Sequence, residues 1–241
     1  MAKKVTLISF TPNAADILIF TKSTRLNMDA GLLATIAAVP MEDKLKELEY
    51  MANTIPSSWE FVDFIFSVEG VSRAYTHQQV RTRAGSYAQQ TMRVLDMAEF
   101  EYIFTENNLL DPRAIIKIQD AMDFIKETYR YLISIGQAAE DARGVLPTNI
   151  STNIVCKFNL RTFAELAKSR TGGRTQSEYQ KVVNSMIDQV LEVYPWVEMF
   201  LFNKGRGVFD DIEAFAKEKF PDLKDRGELL KLVDKLRKEL G

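Results

Sequence analysis

Two long stripes of apolar residues at helical spacing limit how this 241-residue sequence can fold. The first stripe comprises Ile115, Ile118, Met122, Ile125, Tyr129 and Leu132. The second comprises Tyr179, Val183, Met186, Val190 and Tyr194. Steps of three and four residues place each set on one face of a helix. We therefore predict two amphipathic helices that turn these residues toward a core.

The strand signals are fewer and shorter. Residues 5–10 are rich in β-forming side chains and are followed by a turn sequence at Pro12. Apolar and polar residues alternate over residues 62–68, which predicts a strand with one buried face. Residues 155–158 fit either a short strand or the start of a helix. These patterns together predict one helix-rich α/β domain with a modest sheet.

Three further segments have helical patterns. Residues 14–26 follow Asn13, a residue type that often caps the N-terminus of a helix. Residues 43–51 are predicted to form a short charged helix. Residues 228–240 are predicted to form an amphipathic helix with a solvated face of Lys, Arg and Glu.

The chain has one cysteine, Cys156, and one histidine, His77. These counts exclude an intrachain disulfide, zinc fingers, iron–sulfur clusters and multi-histidine metal sites, and we predict no metal site. A catalytic Ser-His-Asp or Cys-His group would have to use His77. We interpret Cys156 as a small buried hydrophobe and His77 as a packing or anion-contacting residue.

Charge and hydropathy argue against several partners and locations. The chain carries 31 basic and 33 acidic residues, a net charge of −2, which disfavours coating of nucleic acid and a polybasic membrane anchor. The sequence contains no run of about 18 apolar residues, so we predict no membrane-spanning helix. The N-terminal apolar run is short and ends before Pro12, so we expect no signal peptide and a cytoplasmic location.

Residues 81–93 concentrate polar side chains around three arginines, Arg81, Arg83 and Arg93. Large aliphatic residues are missing from residues 82–91, so this stretch buries little apolar surface. Guanidinium groups bind phosphate and carboxylate through paired hydrogen bonds, which favours an anion site. The alternative is a solvated helix face.

Two more arginines lie at predicted helix ends. Arg143 precedes a glycine and a proline, at a position where the helix dipole alone favours a cation. Asn159 or Thr162 is predicted to cap a helix that ends just before Arg170. Gly172-Gly173 then breaks the helix, so that Arg170 can project into a cleft. A phosphate loop would need a flanking pattern that is missing here, so we interpret the two glycines as a turn between helices.

These three segments, in this order, resemble the signature segments of the flavin-dependent thymidylate synthases. The family's Arg-His-Arg signature, followed by a polar run that ends in Glu-x-Ser-x-Arg, corresponds to residues 81–93. Its Arg-x-x-Leu-Pro segment corresponds to residues 143–147, and its Asn-x-Arg…Arg…Ala-Gln-x-Glu segment to residues 159–178. A Pro-Trp pair that members often carry follows at Pro195-Trp196. The resemblance covers residues 5–202.

The resemblance implies an enzyme that converts dUMP to dTMP. In this family methylenetetrahydrofolate supplies a methylene group, reduced FAD supplies the hydride, and NADPH reduces the flavin. The implied fold is an α+β domain around a small, mostly antiparallel sheet, here over residues 1–202, followed by a helical C-terminal extension over residues 203–241. The family assembles as a homotetramer in which several subunits build each active site. No partner among nucleic acids or membranes is implied.

The resemblance also implies roles for individual residues. Flavin contacts fall on Arg81, Thr82, Arg83, Gln89, Asn159, Arg161 and Glu165. Nucleotide contacts fall on Gln78, Arg81, Gln89, Gln90, Thr91, Met92, Arg93, Arg143 and Arg170. Main-chain N–H groups and Arg93 hold the phosphate in this assignment. Arg170 is the catalytic residue, because a fixed guanidinium stabilises negative charge that builds at the N3/O4 edge of the pyrimidine.

The sequence departs from the family pattern at four places. Thr82 replaces the signature His, Gln89 replaces the Glu and Thr91 replaces the Ser, while the upstream histidine element is reduced to residues 53–60 without a histidine. These changes leave open dUMP or dCMP as substrate, a methyl or hydroxymethyl product, and a non-catalytic nucleotide-binding homologue. Because Arg170 only donates hydrogen bonds and uracil O4 accepts them, we expect dUMP.

Overall fold

The computed structural model describes residues 4–26, 28–171, 175–202 and 223–240. The chain divides into two compact units, Met1–Phe202 and Asn203–Gly241. In the second unit the described part is a helix at Leu223–Leu240, which includes the helix predicted over residues 228–240. No helix among the described residues is long and apolar enough to cross a membrane.

A four-stranded sheet forms the centre of the first unit. Its strands are β1 (Lys4–Phe10), β2 (Asp63–Ser72), β3 (Ser86–Gln89) and β4 (Ser151–Asn159). They lie in the order β1-β2-β4-β3, and each neighbouring pair is antiparallel. This confirms the predicted helix-rich α/β fold around a small antiparallel sheet, and it makes residues 155–158 part of a strand.

Helices carry most of the described residues. They are α1 (Ala14–Ser23), α2 (Leu32–Ala38), α3 (Met41–Thr54), α4 (Arg73–Gln79), α5 (Glu106–Leu109), α6 (Pro112–Ser134), α7 (Ala139–Ala142), α8 (Leu160–Arg170), α9 (Ser177–Val193), α10 (Glu198–Leu201) and α11 (Leu223–Leu240). Short 3₁₀ turns lie at Pro56–Phe61, Arg143–Val145 and Pro195–Val197. The helix predicted over residues 43–51 is longer than expected at both ends.

Alternate residues of β2 form the centre of the core. Phe64, Phe66 and Val68 are fully buried, as the period-two pattern predicts. The Phe66 ring stacks on Phe163 of α8 with 5.5 Å between ring centroids, and Phe64 lies 5.6 Å from the same ring. Burial of each such ring stabilises the fold by about 1.5–3 kcal/mol. This packing fixes α8 on the sheet and thereby sets the position of Arg170 at its end.

The two long stripes differ in how deeply they are buried. The stripe residues within α9 are fully buried, as predicted: Tyr179, Val183, Met186 and Val190. In α6 only Met122 and Tyr129 of the stripe are buried, and Met122 belongs to a small second cluster with Phe100 and Ile150. Apolar side chains elsewhere on α6 are exposed: Ile116, Phe124 and Tyr131. A cluster of this size covers only part of a 23-residue helix.

The first helix ends earlier than predicted, and Asn13 does not cap it with its side chain. The hydroxyls of Thr21 and Ser23 donate to carbonyl oxygens of the preceding turn, and such bonds compete with the regular helix. The helix stops at Ser23 instead of residue 26. Asn13 has a φ of 52°, in the left-handed region, whereas side-chain capping needs an extended backbone.

Candidate functional site

Residues 73–93 form a helix, a turn, an edge strand and a loop. The Ser72 hydroxyl caps α4 by accepting a hydrogen bond from the Tyr75 N–H at 3.0 Å. The buried carboxylate of Glu178 accepts from the Ser72 N–H at 3.0 Å and from its hydroxyl at 2.5 Å. The chain leaves α4 after Gln79 and enters β3 at Ser86. The alternative prediction, that residues 81–93 form a solvated helix face, is therefore wrong.

The Tyr87 hydroxyl holds the turn over residues 80–85 through two carbonyl oxygens. It lies 2.7 Å from the Thr82 carbonyl oxygen and 3.0 Å from that of Gln79. Burial raises the pKa of Tyr87 to about 12, so the hydroxyl stays protonated and donates at neutral pH. Gly85 has no room for a side chain, since a Cβ there would lie 2.7 Å from the Phe158 ring. These contacts present Arg81 and Arg83 at the surface.

The first group of predicted residues meets at the C-terminal end of β4. Ser86 pairs with Lys157, so the turn that carries Arg81 and Arg83 lies beside this end of the strand. Asn159 caps α8 by accepting from the Thr162 N–H at 2.8 Å, which confirms the predicted cap. This end therefore places the turn with its arginines beside the start of α8. These are the predicted flavin residues except Gln89, which lies at the other end of β3.

Two members of this group already have charged partners. The Arg161 guanidinium lies 2.8 Å from a carboxylate oxygen of Glu60 and 3.7 Å from one of Glu165. Arg81 and Arg83 make no side-chain hydrogen bond or ion pair within the described part of the chain. Their charges are available to a ligand, whereas that of Arg161 is compensated.

The second group lies at the other end of β3. Gln89 pairs with Ile154, and the Gln90 N–H donates to the Asn153 carbonyl oxygen at 2.9 Å. The Gln89 amide turns inward and donates to the Thr76 hydroxyl at 2.8 Å. With a carboxylate in place of Gln89, the Thr76 hydroxyl, which donates to the Arg73 carbonyl oxygen at 3.1 Å, would have to turn and donate to position 89 instead.

Arg93 and Arg143 meet at Glu140. The Arg93 Nε donates to a carboxylate oxygen of Glu140 at 2.7 Å, and the Arg143 Nε donates to its carbonyl oxygen at 3.1 Å. Arg143 follows α7 directly, at a helix end as predicted. The Thr91 hydroxyl accepts from the Arg93 N–H at 3.0 Å, which orders the loop after β3. Met92, beside it, packs against the second apolar cluster.

Arg73 belongs to this second group, and sequence reasoning missed it. Its Nη2 donates to the Gln90 carbonyl oxygen at 2.7 Å. Its buried Nε has no hydrogen-bond partner among the described residues. Burial lowers the pKa of Arg73, and the charge of Arg143 lowers it further. The sequence signal that could have identified Arg73 is its position directly after the buried strand β2.

Arg170 and Gln78 lie near the junction of α8 and α9. Arg170 is the last residue of α8, and its guanidinium carbon is 5.1 Å from the centroid of the Tyr179 ring. Its buried Nε has no hydrogen-bond partner in the described part of the chain. Gln78 donates to the side chain of Gln176, just before α9. The predicted break at residues 172–173 lies outside the described residues.

A buried polar cluster that the sequence did not reveal lies behind Arg170. The Tyr75 hydroxyl donates to the Gln79 side-chain oxygen at 3.0 Å, and the Tyr75 ring meets Tyr179 edge-on at 5.2 Å. Burial raises the pKa of Tyr179, while the positive charge of Arg170 acts in the opposite direction. The Gln79 amide nitrogen and the Tyr179 hydroxyl are buried without a hydrogen-bond partner among the residues described.

The single cysteine and the single histidine take no part in these groups. Cys156 is fully buried in β4, as predicted, and burial raises the pKa of its thiol to about 12. A thiol with that pKa is not a nucleophile at neutral pH. His77 is exposed on α4. The described residues contain no group of three or more His, Cys, Asp or Glu side chains placed to hold a metal ion.

The sequence is similar to one family across most of the first unit. A family model described as thymidylate synthase complementing protein matches residues 6–196. The flavin-dependent thymidylate synthase of Clostridium tetani is 30% identical over 213 residues, which cover 81% of this chain and 85% of that protein. The protein of the same name from Nitratidesulfovibrio vulgaris is 33% identical over 144 residues, 56% of this chain and 59% of that protein. The one from Pyrococcus furiosus is 35% identical over 135 residues, 54% and 55% of the two chains.

Proposed function

Because the chain belongs to the family of flavin-dependent thymidylate synthases, we propose that it methylates dUMP at C5 to give dTMP. Methylenetetrahydrofolate is the proposed source of the carbon, and NADPH the proposed reductant of the flavin. The observation that carries the proposal is the placement of Arg170. Its guanidinium lies against the Tyr179 ring, and its buried Nε has no hydrogen-bond partner among the described residues.

The residues at the C-terminal end of β4 fit the diphosphate of FAD. Arg81 and Arg83 are exposed and without ion pairs in the described part of the chain, and guanidinium groups bind phosphate in a forked geometry. The Asn159 oxygen is committed to capping α8, which leaves its amide N–H groups to donate. Glu165 and Arg161 act as a pair that lines this site. When bound, reduced FAD supplies the hydride for the reaction.

The residues around Glu140 are proposed to bind the nucleotide phosphate. Arg93 and Arg143 converge there, and the main-chain N–H groups of Thr91 and Met92 are proposed to donate to the phosphate. Thr91 orders this loop through its bond to the Arg93 N–H. Gln78, on α4, is proposed to contact the pyrimidine side of the nucleotide.

Arg170 is proposed to act on the base by electrostatics. A pyrimidine is a poor nucleophile at C5 until negative charge can develop at its N3/O4 edge. A guanidinium cannot lose its proton near neutral pH, so Arg170 stabilises that charge without acting as an acid. Removal of one such donor typically slows an enzyme by about 100- to 1000-fold.

A homotetramer with shared active sites is part of the proposal. The flavin group and the phosphate group lie at opposite ends of β3, whose four residues span about 10 Å. Two chains that meet across this strand supply one group each. The exposed apolar residues of α6 provide surface for such contacts.

The choice of base is proposed from the donors of Arg170. Uracil presents O4 as an acceptor for the Arg170 guanidinium. Cytosine presents an amino group there, so two donors would face each other, and the unpaired group would cost about 1–3 kcal/mol of binding free energy. A dCMP methylase or hydroxymethylase is the second candidate. The inward hydrogen bond of Gln89 to Thr76 favours it, because the family's carboxylate is missing from the nucleotide run.

One incubation tests the proposal. Purified protein with FAD, NADPH and methylenetetrahydrofolate receives dUMP, dCMP or both, and the products are identified by mass. We expect dTMP and a higher kcat/KM for dUMP. Preference for dCMP would establish the second candidate, and the absence of product from both nucleotides would contradict the assignment. Gln89→Glu is expected to shift preference further toward dUMP.

A further inference from the structure

Arg170 ends α8 with its guanidinium over an aromatic ring. The guanidinium carbon lies 5.1 Å from the centroid of the Tyr179 ring, and the buried Nε has no hydrogen-bond partner among the described residues. A ring face attracts a cation but does not fix its direction as a hydrogen bond does. The direction of the guanidinium therefore depends on the backbone from which the side chain starts.

That backbone is the C-terminal end of a helix, where carbonyl groups lack partners within the helix. Thr171 follows Arg170 and caps α8, and both its N–H and its hydroxyl donate to the Ala167 carbonyl oxygen, at 3.2 Å and 2.8 Å. The Thr171 carbonyl oxygen accepts from the side-chain amide of Gln180 at 2.7 Å. Gln180 lies in the first turn of α9, so this bond joins the peptide after Arg170 to a second helix.

The first turn of α9 holds the end of α8 at two points. Tyr179 contacts the Arg170 guanidinium, and Gln180 holds the carbonyl group of the next residue. Neighbouring residues of a helix project about 100° apart, so one turn reaches both points. The turn is itself fixed, because the buried carboxylate of Glu178 accepts from the N–H and the hydroxyl of Ser72. Tyr179 and Gln180 together therefore set the position of Arg170 relative to α9.

We propose that Gln180 is a positioning residue for Arg170. Its amide holds the Thr171 carbonyl group and thereby fixes the backbone from which the guanidinium reaches the pyrimidine. The inference rests on the proposed function, in which Arg170 stabilises charge at the N3/O4 edge of the base. In this role Gln180 acts through Arg170 and does not contact the nucleotide.

A second glutamine of α9 provides a matched comparison. Gln189 is half-buried like Gln180, and its side-chain amide donates to the Val5 carbonyl oxygen at 2.8 Å. It also accepts from the Leu7 N–H at 2.5 Å. It lies about 13 Å further along the helix and ties α9 to β1 instead of α8. Loss of either amide removes a bond between α9 and a neighbouring backbone, but only the bond of Gln180 lies beside Arg170.

The experiment compares Gln180→Met with Gln189→Met in the flavin-loaded full chain. Methionine has a similar length but no N–H to donate. We expect Gln180→Met to lower kcat for dUMP about 5- to 30-fold, because a misplacement of about 1 Å can cost on the order of 100-fold and Tyr179 still limits the displacement. The dissociation constant for dUMP, measured by calorimetry, is expected to change by less than about threefold. Gln189→Met is expected to keep its kcat, although its urea midpoint of unfolding falls at least as far, because it loses both bonds to β1.

A chemical probe follows Arg170 without any turnover. Phenylglyoxal modifies accessible arginines, and mass spectrometry of peptides gives the rate of modification at each residue. We expect the rate at Arg170 to rise about 2- to 10-fold in Gln180→Met, because the guanidinium leaves the Tyr179 ring more often. The rate at Arg170 in Gln189→Met, and the rate at the exposed Arg113 in every variant, are expected to match the wild type.

The proposal requires both changes to be confined to Gln180→Met. Unchanged kcat, an unchanged rate of modification at Arg170, or an equal loss of kcat in Gln189→Met overturns it. If the wild type makes no product from dUMP or dCMP, the proposed function fails, whereas a rise in the modification of Arg170 confined to Gln180→Met still establishes that Gln180 positions this side chain. If Gln180→Met does not fold by circular dichroism, Gln180→Asn gives the same comparison, because it keeps the amide but shortens its reach by one methylene.

Discussion

The guanidinium carbon of Arg170 lies 5.1 Å from the centroid of the Tyr179 ring. A cation over an aromatic face is attracted by the ring's quadrupole, by about 0.5–2 kcal/mol depending on burial. Tyr179 is fully buried in α9, and Arg170 ends α8. The contact therefore ties the orientation of the proposed catalytic charge to the packing of two helices.

Arg170→Ala is expected to lower turnover far more than it weakens nucleotide binding. In its proposed role the guanidinium acts on charge that develops only in the transition state, so kcat is expected to fall by about 100- to 1000-fold while the dissociation constant for dUMP changes by less than about tenfold. Single-turnover kinetics and calorimetry measure the two effects. Lys168→Ala removes an exposed cation from the same helix and is expected to behave as the wild type. Near-normal turnover in Arg170→Ala would remove this residue from the mechanism.

The variants Tyr179→Phe and Tyr179→Leu distinguish the contribution of the ring from that of its hydroxyl. The hydroxyl is buried without a hydrogen-bond partner among the described residues, so the Phe variant is expected to keep its turnover and to be at least as stable as the wild type. The Leu variant loses the ring under Arg170, and turnover is expected to fall about 5- to 30-fold. Steady-state kinetics and urea unfolding provide both readouts. An equal loss of turnover in the two variants would assign the effect to the hydroxyl.

The variants Arg81→Ala and Arg83→Ala are expected to weaken the binding of FAD. Each removes an exposed guanidinium without an ion pair in the described part of the chain, and the dissociation constant for FAD is expected to rise about 10- to 100-fold. Arg161→Ala is expected to have a smaller effect, because Glu60 already compensates that charge. Flavin absorbance after reconstitution and desalting gives the measurement. A wild-type protein that retains no flavin would contradict the cofactor assignment.

Cys156 is expected to link the free energy of unfolding to pH and to take no part in catalysis. Burial raises the pKa of its thiol from 9.0 to about 12, so the unfolded chain loses this proton at lower pH than the folded chain does. Its contribution to stability is complete below pH 9 and is lost as the pH rises from 9 toward 12. Urea unfolding at pH 8 and pH 10.5 is expected to show a smaller decline for Cys156→Ala than for the wild type. The variant is expected to stay active, and an inactive, folded Cys156→Ala would refute the passive role.

The active unit is expected to be a homotetramer. Light scattering at micromolar concentration gives the mass, and a dilution series of activity shows whether turnover depends on assembly. Phe124→Glu places a charge in the exposed apolar surface of α6 and is expected to shift the mass downward together with activity. A fully active monomer would rule out shared active sites.

Periodicity predicted much of the fold but not the neighbours of each side chain. The alternation in β2 and the stripe in α9 gave the buried faces correctly, since burial of one face is what such patterns record. The stripe identified Tyr179 as a core residue, yet its contact with Arg170 depends on how α8 crosses α9. The family motifs supplied the two arginine groups. Arg73 lies outside those motifs, and its bond to Gln90 joins residues 17 positions apart in sequence.

The close approach of Gly85 to Phe158 couples the turn that is proposed to bind flavin to the protein interior. The turn that carries Arg81 and Arg83 rests on a ring that itself packs against Phe66, in the middle of the sheet. Loosening of that interior is expected to shift the turn, and flavin held by the turn as proposed resists the loosening to the same extent, because linkage is reciprocal. At a free flavin concentration 100 times its dissociation constant, the folded form gains about 2.7 kcal/mol. Heat tolerance of this protein in a cell is therefore expected to follow the local supply of flavin.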